Sequence, residues 1–483
     1  MKVYSPWAEV DNSGAIALNP RLDTLEGKTI GLFAHFKAHS PIMLQVVADL
    51  LKERFPTARF KSIQLKIDTA EACKLPEFDA ELKEWLKDVD GVIAAYGDMG
   101  SCCMFHAYNT AYIERLGKPT VMICHEELLA AGKKGASVRQ CPHLRFVTTT
   151  LPDMSWFPEI DDRVINGMMR PAFAAILDEI IDGLTKPLTE EEKTPVIRSN
   201  DEAMPFEVDT LDGISDLFYK RGWTTGQPII APTEEAVENM LRGTDLPRDY
   251  VVGYIPPMNG KCTVEKIAVN AVMAGCLPTY MPVLIAAVKA TLDPKIRLEG
   301  WTCSRASWFP LITVSGKVAK QIGVASALNA WTKASSTIAR AYSYIIMNVS
   351  GVRFGIEDLC EPGHESRQGV CIAENADLSP WKPLHVRWGI SEDDSAVTMF
   401  WPQERAEGHG ADPKECFETM FRVDYSGYDK GACYVVTPGF AKVLADAGFK
   451  TQEEVLEYIK EYCRQPASKV AYRWLIGSNQ LPE

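Results

Sequence analysis

The chain has 483 residues, and its 51 Lys and Arg against 64 Asp and Glu give a formal net charge of −13. This charge repels polyanions, so we do not expect nucleic acid or an anionic membrane surface as a partner. Hydrophobic residues make up 46% of the chain, enough for full cores in about two to four domains. No apolar run reaches the roughly 18 residues that span a bilayer, and residues 1–11 lack the apolar core of a signal peptide. We therefore expect a cytoplasmic protein.

The first part of the chain alternates β-like and helical segments. The predicted strands are residues 28–34, 58–66, 91–96, 120–124 and 145–150, and the predicted helices are residues 40–55, 79–89, 101–116 and 172–184. Ser40 and Pro41 are the predicted N-cap and first residue of the first helix. Alternation at this spacing is typical of a parallel sheet between helices. The sequence therefore predicts an α/β domain with a doubly wound parallel sheet over residues 1–188.

A second domain is predicted after a linker. Residues 189–208 are polar and charged and lack hydrophobic periodicity, which is typical of a linker. Residues 209–483 then predict a larger α/β or α+β domain. Its predicted elements are helices at 233–241, 339–347 and 451–463, a strand at 311–315, and an apolar stretch at 264–292 that is interrupted by Gly275, Pro278 and Pro282. We expect this domain to close over the first, because small-molecule sites often lie at such interfaces.

The strongest chemical signal joins the third predicted strand to the helix after it. Gly97 and Gly100 permit a sharp turn and allow a substrate to approach the main chain near Ser101. Open α/β sheets bind ligands beyond the carboxyl ends of their strands, where the next helix offers unpaired N–H groups. Such groups lower the pKa of a thiol, so Cys102 is the first candidate nucleophile, with Cys103 beside it.

Two histidines could serve this thiol. His106 follows Cys102 by four residues, so one helical face could present both side chains. Cys124 and His125 end the next predicted strand, which we expect at the same edge of the sheet. Either histidine could act as a general acid or base. Alternatively, Cys102, His106, Cys124 and His125 could bind Zn²⁺ or another divalent metal, although their spacing matches no zinc signature.

The turn also resembles a known family. The sequence GDMGSC at residues 97–102, followed by IERLG at 113–117 and KPTVMIC at 118–124, resembles the UGSC-motif family of proteins and selenoproteins over about residues 25–185. The resemblance implies a thiol or selenol active site at a strand end, with Gly100, Ser101 and Cys102 matching the motif. The selenocysteine or cysteine of the family is Met99 in this chain. A thioether forms neither a thiolate nor a disulfide, so non-redox chemistry at Cys102 is favoured.

The second half of the chain also resembles sequences found together with this motif. The resemblance rests on GWTTGQP at residues 222–228, PTEE at 232–235 and VNAVMAGCLP at 269–278. It implies that the UGSC-like domain is fused to a C-terminal domain of the same family context, and it names no substrate.

The second half offers candidate anchors for a negatively charged substrate. Lys261 and Cys262 precede the apolar stretch, where Cys262 or Thr263 could cap a helix and Lys261 could face a bound anion. A phosphate-loop pattern is absent from this segment. Arg353 and Arg367 bound a glycine-containing segment of mixed charge. Because the net charge is negative, an anionic substrate needs a locally positive site, and we expect these three cations to supply it.

These features predict a thiol-dependent enzyme that acts on a small anionic organic substrate. Cleavage or formation of a carbon–heteroatom bond, as in a lyase or hydratase, agrees with the loss of a redox partner at Met99. Two alternatives stay open. One is a thiol oxidoreductase that pairs Cys102 with Cys103 or with a cysteine of the second domain. The other is a non-catalytic binding or scaffold subunit. A homodimer is compatible with the sequence.

Overall fold

The computed structural model of the chain describes twelve strands and the helices that connect them. The described residues are 1–11, 14–67, 69, 72–97, 100–152, 154, 157, 159–195, 200–296, 298, 302, 308–326, 332–353, 358, 368–402, 412–413, 415–417 and 433–462. The strands within these residues are β1 (Lys2–Val3), β2 (Thr29–Ala34), β3 (Arg59–Gln64), β4 (Gly91–Gly97), β5 (Thr120–His125), β6 (Arg145–Thr149), β7 (Phe206–Glu207), β8 (Val251–Ile255), β9 (Gly260–Thr263), β10 (Leu311–Ser315), β11 (Val370–Ala373) and β12 (Ala396–Phe400).

The helices fall into two groups along the chain. In the first half they are α1 (His39–Arg54), α2 (Pro76–Lys87), α3 (Gly100–Arg115), α4 (Leu129–Val138), α5 (Asp162–Val164), α6 (Arg170–Ala175), α7 (Leu177–Thr185) and α8 (Glu190–Lys193). In the second half they are α9 (Ile214–Lys220), α10 (Glu234–Leu241), α11 (Val264–Ala274), α12 (Met281–Thr291), α13 (Lys317–Ile322), α14 (Lys333–Ser350), α15 (Leu384–Arg387), α16 (Pro438–Asp446) and α17 (Gln452–Tyr462). None of these described helices is long and apolar enough to cross a membrane.

The main sheet has five parallel strands in the order β3-β2-β4-β5-β6. Helices α1, α6 and α7 pack on one face, and α2, α3 and α4 pack on the other. This confirms the predicted doubly wound α/β fold. Counted along the chain within this sheet, the order is 2-1-3-4-5, so the winding reverses between β2 and β4. The ends of these two strands form the topological switch point, where open α/β sheets bind ligands.

Strand β4 illustrates why the sheet lies inside the molecule. Val92 and Ala94 face the core beneath α2 and α3, whereas Ile93 and Ala95 face the core beneath α1. All seven residues of β4 are buried, as expected for a parallel strand covered on both faces. The continuous apolar run therefore predicts a central strand, and the glycine at its end leads into the candidate site.

The second half has a separate core. Helices α11, α12 and α14 pack there against a mixed sheet in which β10 is parallel to β11 and antiparallel to β12. The beginning of the chain also belongs to this core, because β1 pairs with β7 and the side chains of Val3, Tyr4 and Ala8 are buried in it. The domain boundaries at residues 188 and 208 stay a prediction.

The predicted linker is attached to the first sheet. Its helix α8 begins with a capping box between Thr189 and Glu192. Glu192 then accepts two hydrogen bonds from the Arg145 guanidinium of β6, at 2.8 and 2.9 Å. These hydrogen bonds lower the pKa of Glu192 to about 2. The segment is therefore held by a charge-assisted pair, which its polar composition alone does not reveal.

Two predicted helices differ from the structure. The helix predicted over 172–184 is divided into α6 and α7 at Ile176, so that Phe173 and Ile180 both reach the core. Helix α1 begins at His39, with Ala38 as its N-cap residue and no side-chain cap. The predicted capping role of Ser40 is therefore wrong. Its hydroxyl is buried and bonds to the strand ends instead.

Candidate active site at the switch point

The turn between β4 and α3 is very tight. A Cβ atom on Gly97 would lie 2.5 Å from Cys103 Cα and 2.6 Å from its backbone nitrogen. Only glycine fits at this position, because backbone atoms cannot move aside as a flexible side chain could. Gly100 begins α3, and Ser101 follows it in the first turn. Asp98 and Met99 lie outside the described residues, so the prediction about Met99 falls outside them too.

Cys102 lies in the first turn of α3, and the side chain of His106 follows one turn later on the same face. The His106 ring stacks on Phe33 of β2 with a centroid distance of 5.0 Å and meets the His35 ring edge-on at 5.4 Å. Since α3 runs back along the sheet, four residues toward its start correspond to about 6 Å beyond these rings. Cys102 therefore lies past the end of β2 and beside Gly97, the last residue of β4, at the switch point.

His106 is a neutral imidazole in a closed environment. It is fully buried, and burial holds the pKa of His106 well below its usual value, with the nearby His35 lowering it further. The carbonyl groups of Phe33 and Ala95 favour the protonated form but are outweighed. Neither ring nitrogen makes a hydrogen bond of ordinary geometry to the described residues. His106 can therefore accept a proton only at a cost, which limits it as a general acid at neutral pH.

The segment after β2 contributes polar side chains that the sequence analysis missed. His35, Lys37, His39 and Ser40 are each no more than 5% exposed, although polar residues are rarely this buried. A usable signal was present, because these residues directly follow an apolar strand, as His125 does. Polar residues at the end of β2 indicate a site in the same way as those at the ends of β4 and β5. The switch point thus combines Cys102 with a buried group of histidines and one lysine.

Ser40 joins the two strands at this point. Its hydroxyl donates to the Ala95 carbonyl at 2.5 Å and accepts from the N–H groups of His35 and Tyr96 at 2.8 and 3.2 Å. The Tyr96 hydroxyl in turn donates to the Leu151 carbonyl at 2.9 Å. The end of β2 is therefore fixed relative to the turn that carries Cys102.

Cys103 and Cys124 lie in the apolar core between the sheet and its helices. Both are fully buried, and the Cys103 thiol donates to the Leu128 carbonyl at 3.6 Å. A Cβ atom on Gly132 of α4 would lie 3.3 Å from Cys103 Sγ, so the thiol fills the contact between the two helices. The described contacts give both cysteines a packing role, and none of them links either thiol to the switch point.

The four predicted metal ligands do not form a metal site. Among the described residues, which include all four, no group of three His, Cys, Asp or Glu side chains is placed to hold an ion. Cys124 faces the core, and His125 Nδ1 accepts a hydrogen bond from the Glu127 N–H at 3.2 Å, which caps a short 3₁₀ turn. The four side chains do not converge, because Cys124 and His125 at the end of β5 point in different directions.

The three predicted cationic anchors have varied surroundings. Lys261 Nζ lies 3.7 Å from the Glu9 carboxylate, and both side chains are largely exposed. The chain of Arg353 packs against Gly222, where an added Cβ would lie 3.0 Å from Arg353 Cδ. Arg367 lies outside the described residues. In the described structure, Lys261 thus contacts Glu9 and Arg353 contacts Gly222.

Cys262 and Thr263 follow Lys261 and differ in their roles. Cys262 is fully buried, and burial raises the pKa of its thiol to about 12. The Thr263 hydroxyl accepts from the Lys266 N–H at 3.2 Å and caps α11, which confirms the predicted cap. Cys262 therefore serves the core, and no described contact gives it a role in substrate binding.

The helix that carries Cys102 also contacts the second half of the chain. Met104, Phe105 and Tyr108 of α3 form an apolar cluster with Val352. Lys134 of α4 lies beside this contact, with Nζ 5.7 Å from the centre of the Trp7 ring. Helix α3 is therefore packed between the parallel sheet and the segment that follows α14.

Val352 also lines an open cavity with about 350 Å³ of empty space that includes solvent at its mouth. It is lined by Thr302, Pro310, Ser343, Ile346, Met347, Val352, Asp358 and Trp401. None of the residues predicted from the sequence lines this cavity.

The first part of the chain matches a known family. Residues 2–185 match the sequence model of the UGSC family, from β1 to the last residue of α7. This part of the chain is therefore similar to the UGSC family. The matched segment includes the five-stranded sheet and the turn that carries Cys102. No curated protein and no solved structure matches the chain. The match covers residues 2–185 of the 483 and names no chemistry.

Proposed function

We propose that this protein is a thiol-dependent enzyme that cleaves or forms a carbon–heteroatom bond in a small anionic organic substrate, as a lyase or hydratase does. Cys102 is the nucleophile. The observation that carries the proposal is the position of Cys102 in the first turn of α3, past the end of β2 and beside the last residue of β4. Ligands bind at this place in doubly wound sheets.

Two features of the switch point favour a thiolate and an anionic substrate. Helices α1 and α3 are each 16 residues long and begin at the ends of β2 and β4, on opposite faces of the sheet. The N-terminus of a helix carries a partial positive charge, which stabilises a thiolate or a bound carboxylate. Helix α1 has no side-chain cap that would occupy its first N–H groups.

The proton of the Cys102 thiol passes to an imidazole in this proposal. His35 lies against His106 at the strand end, and His39 begins α1. Burial keeps His106 neutral, so it does not form a lasting ion pair with the thiolate. Its role is to hold the His35 ring in place through their edge-on contact. His125 is less suited, since its Nδ1 already accepts a backbone hydrogen bond.

The oxidoreductase alternative has less support from the geometry. A redox couple needs a second thiol near Cys102, and the described contacts of Cys103 Sγ are with the core. In the second half, burial raises the pKa of Cys262, Cys276 and Cys371 to about 12, so these thiols are poor nucleophiles. Non-redox chemistry at Cys102 is therefore preferred.

Alkylation by iodoacetamide near pH 6 tests the proposal, because only a thiol of depressed pKa is a thiolate there. Each cysteine is followed by mass spectrometry of its peptide. Cys102 should react well before Cys433, whose pKa is raised to about 11 by desolvation. Cys102→Ser should remove the fast reaction, whereas Cys433→Ser should retain it. Uniformly slow reaction of all cysteines would contradict the proposal and favour a scaffold subunit.

Metal analysis of the purified protein tests the remaining hypothesis about cofactors. Because the four predicted ligands are not assembled, we expect no zinc or other divalent metal that depends on Cys102. Equal metal content in the wild type and in Cys102→Ser is the expected result. If the wild type holds stoichiometric metal and Cys102→Ser does not, Cys102 is a metal ligand. This result would contradict its role as the nucleophile.

A further inference from the structure

The side-chain amide of Gln64 donates hydrogen bonds to three backbone carbonyl groups at the switch point. Its Nε2 lies 3.1, 3.1 and 3.2 Å from the carbonyl oxygens of His35, Phe36 and Lys37. Gln64 is the last residue of β3, which pairs with β2 on the side opposite to β4. The three carbonyl groups after β2 are therefore turned toward β3 and away from the turn that carries Cys102.

This arrangement fixes the direction of the N–H groups in the same segment. In a planar trans peptide the N–H points opposite to the carbonyl of the preceding residue. The N–H groups of Phe36 and Ala38 must therefore face away from Gln64 and β3. The N–H of His35 already points that way, because it donates to the Ala95 carbonyl at 2.8 Å. We name residues 35–38 the donor loop.

We infer that Gln64 is a positioning residue that turns the donor loop toward Cys102, and that this loop binds the negatively charged group of the substrate, a carboxylate. The inference rests on the proposed function and deepens it, because it assigns the anion to the first sheet instead of to Lys261 and Arg353. Backbone N–H groups bind carboxylates with charge-assisted hydrogen bonds. The buried side chain of Lys37 lies within the same loop.

The geometry also explains why an amide suits position 64. An amide nitrogen donates hydrogen bonds, whereas a carboxylate only accepts them and would repel three carbonyl oxygens. Ser40 holds the beginning of the loop through its contacts with His35 and Ala95, so Gln64 acts on the remainder. Replacing Gln64 should release the three carbonyl groups and weaken carboxylate binding by the donor loop. It removes no residue that touches the substrate.

The test compares iodoacetate with iodoacetamide, which alkylate a thiol by the same displacement of iodide but differ by one negative charge. For each cysteine we take the rate constant with iodoacetate divided by the rate constant with iodoacetamide. In the full-length wild type this ratio should be about tenfold higher at Cys102 than at Cys433, since hydrogen bonds to a charged group are strong. Gln64→Leu and Gln64→Glu should reduce the Cys102 ratio to near that of Cys433. Gln45→Leu is the matched control, because the Gln45 amide bonds only to exposed Asp49 among the described residues.

A second measurement does not depend on Cys102 chemistry. Added acetate, compared with chloride at equal ionic strength, should raise the urea midpoint of unfolding of Cys102→Ser but not of Cys102→Ser combined with Gln64→Leu. An unchanged reagent ratio in both Gln64 variants, or no acetate effect in Cys102→Ser, would overturn the inference. Loss of Cys102 reactivity toward both reagents in the wild type would instead contradict the proposed function, and the acetate result would still decide the role of Gln64.

Discussion

Cys102 and His106 lie one turn apart on α3, yet burial affects them in different ways. Cys102 is 4% exposed and lies beside the last residue of β4, at the positive end of its helix. His106 is fully buried one turn deeper and stacks on Phe33. A site of this kind can place a reactive group at the edge of the sheet while the residue behind it stays uncharged.

The buried state of His106 predicts how stability depends on pH. Its folded-state pKa lies well below the unfolded value of 6.5, so the unfolded chain binds more protons below about pH 6.5. The free energy of unfolding should therefore fall as the pH falls below that value, by up to about 1.4 kcal/mol per pH unit. Urea unfolding near pH 7.5 and about pH 5 measures this slope.

His106→Leu should reduce the acid slope, because it removes the titrating group and keeps an apolar side chain against Phe33. His143→Gln removes a half-buried histidine elsewhere in the same part of the chain and serves as the control. An acid slope that is equal in the wild type and in His106→Leu would show that His106 is not held neutral by burial.

Gly97 gives a second prediction at the level of single residues. In Gly97→Ala the new Cβ would meet the Cys103 backbone at 2.5 Å, so the turn must shift. We expect a loss of about 1 to 3 kcal/mol in the free energy of unfolding, together with slower alkylation of Cys102. Gly167→Ala is the control, since nothing lies within 4 Å of its Cβ position. Equal stability of the two variants would show that the turn is looser than described.

Among the elements, α3 is anchored at its far end by a buried ion pair. Glu114 pairs with Arg21 at 3.3 Å and accepts hydrogen bonds from the N–H groups of Asn19 and Thr120, each at 2.7 Å. Burial raises the pKa of Glu114 and lowers that of Arg21, although each partner opposes the effect on the other. The network connects the segment before β2, the end of α3 and the start of β5.

Breaking one partner of this network should be costly. Glu114→Ala leaves the Arg21 charge buried without its carboxylate, and we expect a loss of about 3 to 5 kcal/mol in the free energy of unfolding by urea. The exposed pair of Glu84 and Lys87 on α2 provides the matched control, because Glu84→Ala should change stability little. Similar effects of the two substitutions would mean that the buried network contributes no more than a surface pair.

Much of the order of elements could be predicted from the sequence, because apolar runs and helical spacing are local signals. The predicted strand 311–315 has the bounds of β10, and the predicted strand 91–96 ends within one residue of Gly97. Cap chemistry is predictable at Thr263 but not at Ser40. The hydroxyl of Ser40 bonds to Ala95, 55 residues away, and such a contact leaves no local pattern.

For the whole molecule, the beginning of the chain connects distant segments. Lys266 of α11 is buried, and its Nζ donates to the carbonyl groups of Ser5 at 2.9 Å and Ala203 at 2.7 Å. Burial lowers the pKa of Lys266 to about 8. One ammonium group therefore joins the N-terminal segment to the chain just before β7.

This contact predicts a pH effect of the same direction as that of His106, at higher pH. Between about pH 8 and pH 10 the unfolded chain keeps the Lys266 proton that the folded chain has lost, so stability should rise with pH. The contribution is at most about 1.4 kcal/mol per pH unit. It is measured as the difference in urea unfolding between the wild type and Lys266→Met, with the exposed Lys320→Met as control. A constant difference over this range would contradict the shifted pKa.

The site as a whole is harder to predict than the fold, because its residues come from separate strand ends. Cys102 follows the third strand of the sheet, His35 follows the first, and Gln64 ends the second. The sequence indicates each strand end separately, but only the strand order β3-β2-β4 places them side by side. The sequence also does not show in which direction a side chain points. For this reason Cys103 and Cys124 are candidates from the sequence although their side chains face the core.

The most direct test of the central claim is the pH dependence of the alkylation rate at Cys102, measured by peptide mass spectrometry on the full-length protein. A thiol at the start of α3 should give a rate that levels off well below the ordinary thiol pKa of about 8.5. Cys433, with its pKa of about 11, should still be gaining rate at the highest pH used. A Cys102 profile that follows Cys433, or one that never separates from the buried cysteines, would contradict an activated thiol at the switch point.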